Sequence, residues 1–469
     1  MQKHFVAGIA VLACCIWSSP RVHAARWSIA YRGTFTLDNN GFNASELSGI
    51  AFRGRVGGLE STPCTSCGFV AVQDSSASVL AMNLSFHANG SIASAVVVGQ
   101  TTLTANLDYE GIAVTGLFEQ YGGVASAVNR VLVSDEATPG IREVRLDTGA
   151  VVATVPIPAV YAHVRNNRGF EALTTWNRSS DGFRMAVANE EALTIDGPAA
   201  GLAGGTVVRI QTYDVVGNPT FNLSYQPRQQ WAYVVDPIHG GASTSSQTQS
   251  GLVEMAAMPD RTLLALERSA ALTVPVLQNR LYEIDPTGAT DVGGAAFEAG
   301  LVGQSYAPVG KELLWSGTIG GVFGENLEGL TLGPQLANGN WTLVGVVDNG
   351  GSGATTLVSF EATPIVSADF DVSGAVDGSD FLLWQRDYRA IPPWLADQRP
   401  GDANRDGQVD SADLAVWHSG FGAAASVMSR PVPEPGAAVL AILGTALVAT
   451  TLESSVGFVM RRACETRAK

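Results

Sequence analysis

Apolar residues are spaced differently in successive parts of this chain. From Trp27 to about Pro364 they form short alternating or continuous runs, broken by Gly, Asn, Asp and Pro, with no long amphipathic helix. That period-two pattern predicts strands and tight turns in a sandwich, barrel or propeller. Repeats bear on the choice. Ser48-Gly49-Ile50-Ala51 recurs as Glu110-Gly111-Ile112-Ala113, Glu171-Ala172-Leu173-Thr174, Glu254-Met255-Ala256-Ala257 and Glu328-Gly329-Leu330-Thr331. Each copy precedes a strand that ends in an acid: Phe69 to Asp74, Val131 to Glu136, Arg184 to Glu191, Thr262 to Glu267, and Thr342 to Asp348. A sandwich has no reason to repeat an acid at one point of every unit, whereas radial blades around a channel do. The expectation is therefore an all-β propeller of about six blades. Five units are visible, and a sixth, degenerate blade would use the strand at Trp27 to Leu37 as closure. A repetitive sandwich with solvated acids at its turns is the alternative.

Beyond Pro364 the pattern changes to short apolar helices, Phe381 to Arg386 and Leu414 to His418, each preceded by an oxygen-rich loop. In the first loop Asp369, Asp371, Ser373, Asp377 and Asp380 stand at positions one, three, five, nine and twelve. Gly374 provides the sharp turn and Ala375 a backbone carbonyl, as an EF-hand calcium loop requires. The second loop repeats this with Asp402, Asn404, Asp406, Gln408, Asp410 and Asp413 around Gly407. Asp replaces the usual Glu at position twelve. Two such loops in tandem resemble a type I dockerin. The resemblance implies bound Ca2+ and a cohesin-like partner docked beside the loops through residues such as Gly378, Ser379, Ser411 and Ala412. A calcium-stabilised spacer is the alternative.

Both ends read as targeting segments. Lys3 and His4, the apolar run Phe5 to Trp17, and Val22-His23-Ala24 before Ala25 predict a secretory signal over 1–24. Lipidation at Cys14 ranks second. After Ser426, Val432-Pro433-Glu434-Pro435 precedes an uncharged run from Gly436 to Leu452, closed by Arg461-Arg462. That run predicts a C-terminal hydrophobic helix that barely spans a bilayer. It resembles a PEP-CTERM sorting signal, which implies an exosortase-type processing enzyme; a permanent membrane anchor is the alternative. The expected organisation is a signal over 1–24, a propeller over 25–365, a paired EF-hand-like module over 366–426 and a sorting tail over 427–469. Cys64 and Cys67 would be the cysteines kept after processing, and their turn-like context predicts a small loop disulfide.

Charge narrows the function. With 28 basic and 43 acidic side chains the net charge is −15, which repels nucleic acid and attracts divalent cations. The body resembles the esterase-like phytase family. The matching segments include Leu47-Ser48-Gly49-Ile50, Asp108-Tyr109-Glu110-Gly111-Ile112-Ala113, Val133-Ser134-Asp135-Glu136 and Asn167-Arg168-Gly169-Phe170-Glu171. They continue with Leu264-Ala265-Leu266-Glu267-Arg268, Lys311, Asn326-Leu327-Glu328-Gly329-Leu330 and Val347-Asp348-Asn349. The resemblance implies a propeller-like fold and hydrolysis of a small anionic ester. Ser48 departs from the acid of the other repeats, and Glu254 sits slightly off register.

Nucleophile motifs are missing from the sequence: it has no G-x-S-x-G elbow, no Arg-His-Gly triplet and no phosphocysteine loop. That leaves metal-assisted cleavage of a phosphate or other ester. Glu110, Asp135, Glu136, Glu171, Glu267 and Glu328 would converge near the channel mouth and hold one or more calcium ions. Arg168, Arg268 and Lys311 would then contact the anionic group. The bland alternative is that each Glu bonds backbone amides of the next blade and locks the ring. His163 and His239 are expected to serve packing. The expected protein is thus an exported hydrolase at the cell surface or outside it. A non-catalytic propeller that binds carbohydrate, protein or a mineral ion, or a matrix component, is the alternative.

Overall fold

The computed structural model describes residues 25–422 except 56–65, 75, 106, 116–128, 180–181, 218–221, 352 and 389–399. The expected signal, the sorting tail and Cys64 lie outside the described residues. Cys67 is described; it is buried and disulfide-bonded.

Strand β1 (Trp27–Thr36) comes first, followed by sheets that each run from an inner to an outer strand. One holds β2 (Leu47–Arg55), β3 (Cys67–Gln73), β4 (Ser78–Phe86) and β5 (Ile92–Thr102). The next holds β6 (Tyr109–Val114), β7 (Arg130–Asp135), β8 (Gly140–Arg145) and β9 (Val151–Thr154). The third is β10 (Phe170–Ser179), β11 (Gly182–Asn189), β12 (Thr206–Val216) and β13 (Ser224–Val235). The fourth is β14 (Gln249–Ala257), β15 (Leu263–Ala270), β16 (Leu277–Asp285) and β17 (Gly310–Gly317). The last is β18 (Asn326–Gln335), β19 (Trp341–Asp348) and β20 (Thr356–Pro364), and β1 completes it as the outer strand.

The fold is therefore a five-bladed β-propeller, which corrects the expectation of about six blades. The inner strand β18 already lies beside β2, so the ring is closed without a further blade. The last sheet has only three strands from its own stretch of chain. Antiparallel pairing of β1 with β20, from Trp27 opposite Pro364 to Thr36 opposite Thr356, fills its open edge. That pairing ties the two ends of the body together.

A separate apolar cluster fills each junction between neighbouring blades. Strand alternation explains how one strand serves two of them. On β7, Val131 and Val133 face the preceding blade and Leu132 the following one. With both faces covered, second strands read as continuous apolar runs, and every residue of β11 and of β15 is buried. The inner strands crowd where they meet. A Cβ on Gly111 would lie 2.5 Å from the Glu171 carbonyl oxygen and 2.7 Å from Ser134 Oγ. Gly111→Ala is thus expected to cost about 1–3 kcal/mol by overpacking, measured as a lower denaturation midpoint.

Beyond the propeller, α1 (Gly378–Asp387) and α2 (Ser411–Gly420) form a small helical unit. Each helix opens on a reciprocal capping box, Asp377 with Asp380 and Asp410 with Asp413. Trp384 Nε1 donates to the Asp410 carbonyl and Trp417 Nε1 to the Asp377 carbonyl, each at 2.9 Å, so the halves brace one another symmetrically. Arg405 fastens the unit to the propeller through Asp260 at 3.4 Å and the Ile365 carbonyl at 3.2 Å. Among the described residues no helix is long and apolar enough to cross a membrane.

Candidate functional site

Backbone irregularity aims the repeated acids. The pairing register shifts at the start of four inner strands, at Ser48 on β2, across Glu110 on β6, at Glu171 on β10 and at Glu328 on β18. Such bulges turn a side chain out of the normal alternation. On β14 the shift falls at Val253 instead. Glu254 is consequently displaced by one position and buried between blades. Its Oε1 accepts hydrogen bonds from the Leu173 and Met255 amides, each at 2.9 Å. Glu254 thus has the locking geometry envisaged as the bland alternative, and the three acids Glu110, Glu171 and Glu328 do not share its register.

The ends of the second strands meet these bulges on the same face of the ring. Carboxylate oxygens of Glu110, Glu136 and Glu171, all three buried, lie within 4.8 Å of one another. Glu110 also belongs to a second group with Asp74 and Asp108 on the same criterion of 4.8 Å. Glu136 is 1% exposed, and its Oε1 has no hydrogen-bond partner.

Burial and mutual repulsion hold protons on this cluster. Burial pushes Glu110 and Glu171 well above the ordinary carboxyl range, and their acidic neighbours push in the same direction. Burial, then Glu190, raises Glu136 to about 7. Burial, then Asp108, raises Asp74 to about 8. Burial raises Glu328 to about 7 although Arg268 opposes it.

A frame of arginines surrounds the acids. Buried Arg268 donates from Nη2 to Glu190 at 2.6 Å, and from Nη1 to Asn326 at 2.7 Å and to Glu328. Arg168 Nη1 lies 3.1 Å from the other Glu190 oxygen, while its Nη2 donates to Gln249. Asp135 turns to Arg142 at 3.1 Å. Arg168 and Arg268 therefore stand at the site but are already paired.

Glu267 and Lys311 are placed elsewhere. Glu267 precedes Arg268 on β15, so alternation sends the two to opposite faces. Glu267 accepts from Tyr233 at 2.7 Å and from Lys311 at 2.6 Å, and Lys311 also holds Asp236 at 2.7 Å. These two residues join a cluster of blade-edge side chains and not the Glu110–Glu136–Glu171 group. Asp74, Asp108 and Glu190 were not among the candidates, although Asp74 closes one of the acid-ended strands and Glu190 lies one residue before the end of another. Gln249 carried no signal in the sequence, and Asn326 entered only within a segment that resembles the family.

In the helical unit, Asp369, Asp371 and Asp380 bring oxygens within 4.8 Å of one another. Asp369 accepts from the Ser373 and Gly374 amides at 2.9 Å, and Asp402 accepts from Gly407 at the same distance. Asp402 Oδ1 is buried without a partner.

The comparisons bear on the body. Solved structures overlap it only weakly. A hypothetical protein from Leishmania major is 8% identical, with 70% of this chain and 90% of that chain covered and a TM-score of 0.32. Myxococcus xanthus glutaminyl cyclase is 11% identical, with 73% and 100% covered and a TM-score of 0.27. Overlaps of this quality carry no argument about the chain. No curated protein matches it. The phytase-like family, described as "esterase-like activity of phytase", matches residues 51–351. The chain belongs to the phytase-like family.

Proposed function

We propose that the carboxylate ring is the hydrolytic centre of an exported enzyme that cleaves a phosphate or other ester with a bound hard cation such as calcium. One observation carries this reading. Three buried carboxylates converge within 4.8 Å, and one of their oxygens is left without any hydrogen-bond partner. Uncompensated buried acids are costly, and an all-oxygen donor set suits calcium. Glu110, Glu136 and Glu171 are the ligands in this reading. When bound, the cation would polarise the ester oxygen and lower the pKa of a bound water.

The remaining residues hold this arrangement and move protons. The Glu190–Arg268–Glu328 chain fixes the wall of the site. Glu328, near 7, can give or take a proton close to neutral pH. The loops of the helical unit are calcium sites in the same reading, which the buried, unpartnered Asp402 Oδ1 supports. Delivery through the signal, a cohesin-like partner and exosortase processing belong to it as well. They rest on the residues quoted from the sequence.

The test is turnover of p-nitrophenyl phosphate and p-nitrophenyl butyrate by the full chain, with calcium and after chelation. Chelation is expected to abolish activity. It should also leave a pH-dependent fold. Glu136, Glu328 and Asp74 titrate near 7, 7 and 8 when folded, well above ordinary carboxyls. Between the ordinary and raised values the folded state binds more protons than the unfolded chain. The chelated protein therefore loses stability as pH rises through that window, and calcium restores it. Folded, calcium-loaded protein that turns over neither ester would leave the non-catalytic propeller as the reading.

A further inference from the structure

We infer that the centre takes an ester with an apolar arm, and that the arm lies on a hydrophobic rim built by the β15–β16 and β17–β18 loops. This rests on the hydrolytic reading above and narrows its substrate class.

The rim grows out of the site. Leu272 follows Arg268 by four residues, and Phe323 precedes Asn326 by three. Arg268 and Asn326 bond each other at the acids. The two loops display Leu272, Val274, Val276, Val322 and Phe323, which are 50, 61, 41, 68 and 63% exposed. Scattered apolar residues on a surface are ordinary, but five on two touching loops beside a reactive centre form a patch.

The patch is also held in shape. The Val276 and Leu277 amides both donate to the Phe323 carbonyl, at 2.8 and 2.9 Å. His239 fixes the first loop from below, with one ring nitrogen 2.9 Å from Ser269 Oγ and the other 2.8 Å from the Pro275 carbonyl. A rim braced in this way is a preorganised surface, so little ordering is needed when a ligand settles on it.

Charge excludes the opposite kind of substrate. Arg142, Arg168 and Arg268 are each ion-paired with a carboxylate of the site. The acids outnumber them, so a molecule carrying many phosphates meets repulsion that one cation does not offset. A single anionic head on the cation, with its carbon chain over Val274 and Phe323, satisfies both halves of the surface.

Calorimetry on the calcium-loaded full chain tests this with methylphosphonate and hexylphosphonate, which cannot be turned over. Hexylphosphonate is expected to bind about tenfold or more tightly, since several methylenes leave water. The double variant Val274→Ser, Phe323→Ser should lose that gain and keep the methylphosphonate affinity, which also reports its folding. Val322→Ser alone should lose part of the gain. Equal affinities for the two ligands, or a gain that survives in the double variant, would overturn the inference. A gain that the variant removes, in a protein that hydrolyses no ester, would sustain the apolar rim and remove the hydrolytic reading alone.

Discussion

Replacing Glu171 with glutamine should lower ester turnover on the order of 100-fold, the scale expected when one preorganised group that offsets transition-state charge is lost. The same change should raise the melting temperature of the chelated protein. Both effects have one cause. Glutamine keeps the shape of the side chain and removes its charge. Glu171 shares a space of 4.8 Å with Glu110 and Glu136, and its carboxyl is pushed up by burial and by Glu110, Glu136 and Glu190. Without a cation, burial and the acidic neighbours make an ionisable carboxyl costly here, so a neutral amide of the same shape relieves the fold. With a cation the lost charge weakens its hold. A purely structural glutamate would behave otherwise, with turnover unchanged. Steady-state kinetics in calcium and scanning calorimetry after chelation separate the cases. Unchanged turnover, or a lower melting temperature of the chelated variant, would count against the centre.

Glu254→Ala should have the largest effect on stability. Its Oε1 serves the Leu173 and Met255 amides at the junction of β10 with β14. Two orphaned buried amides cost about 1–3 kcal/mol each, so a loss of about 2–6 kcal/mol is expected. Burial pushes the Glu254 carboxyl well above its ordinary range, in favour of the neutral form. Glu254→Gln, neutral and still an acceptor, should therefore cost no more than about 1.5 kcal/mol, the scale of one ordinary hydrogen bond. Denaturant titration of the two variants checks this. Turnover per folded molecule should be unaffected in both, which contrasts with Glu171→Gln. Equal losses in the two variants would show that charge and not amide bonding matters at Glu254.

Much of the body is legible in the sequence. The recurring Gly-Ile-Ala-like segments mark β2, β6, β10 and β18, and the acid-ended strands mark the second strand of every blade. Period-two alternation and glycine at crowded positions are local properties, so composition and spacing carry them. Glu110, Glu136, Glu171 and Glu328 followed from the same repeat.

The blade count did not follow, because a strand at Trp27 reads the same whether it opens a new sheet or completes an old one. Only the pairing with β20, more than 300 residues away in sequence, decides it. Glu267 and Lys311 were grouped with the ring for a similar reason. The repeat marks the end of β15 but not which of two consecutive residues faces the centre. Glu254 shows the limit most clearly, since a register shift of one residue turns a repeat acid into a lock between blades.

What the sequence determined by itself was thus the β class, the number of visible repeat units, the resemblance of the body and the residue types that line its centre. The tertiary structure decided the closure at five blades, the pairing of both arginines within the site, the neighbours Asp74, Asp108 and Glu190, and the braced apolar rim. Those features depend on contacts between residues distant in sequence and on bulges that re-aim single side chains. Neither leaves a periodic trace along the chain.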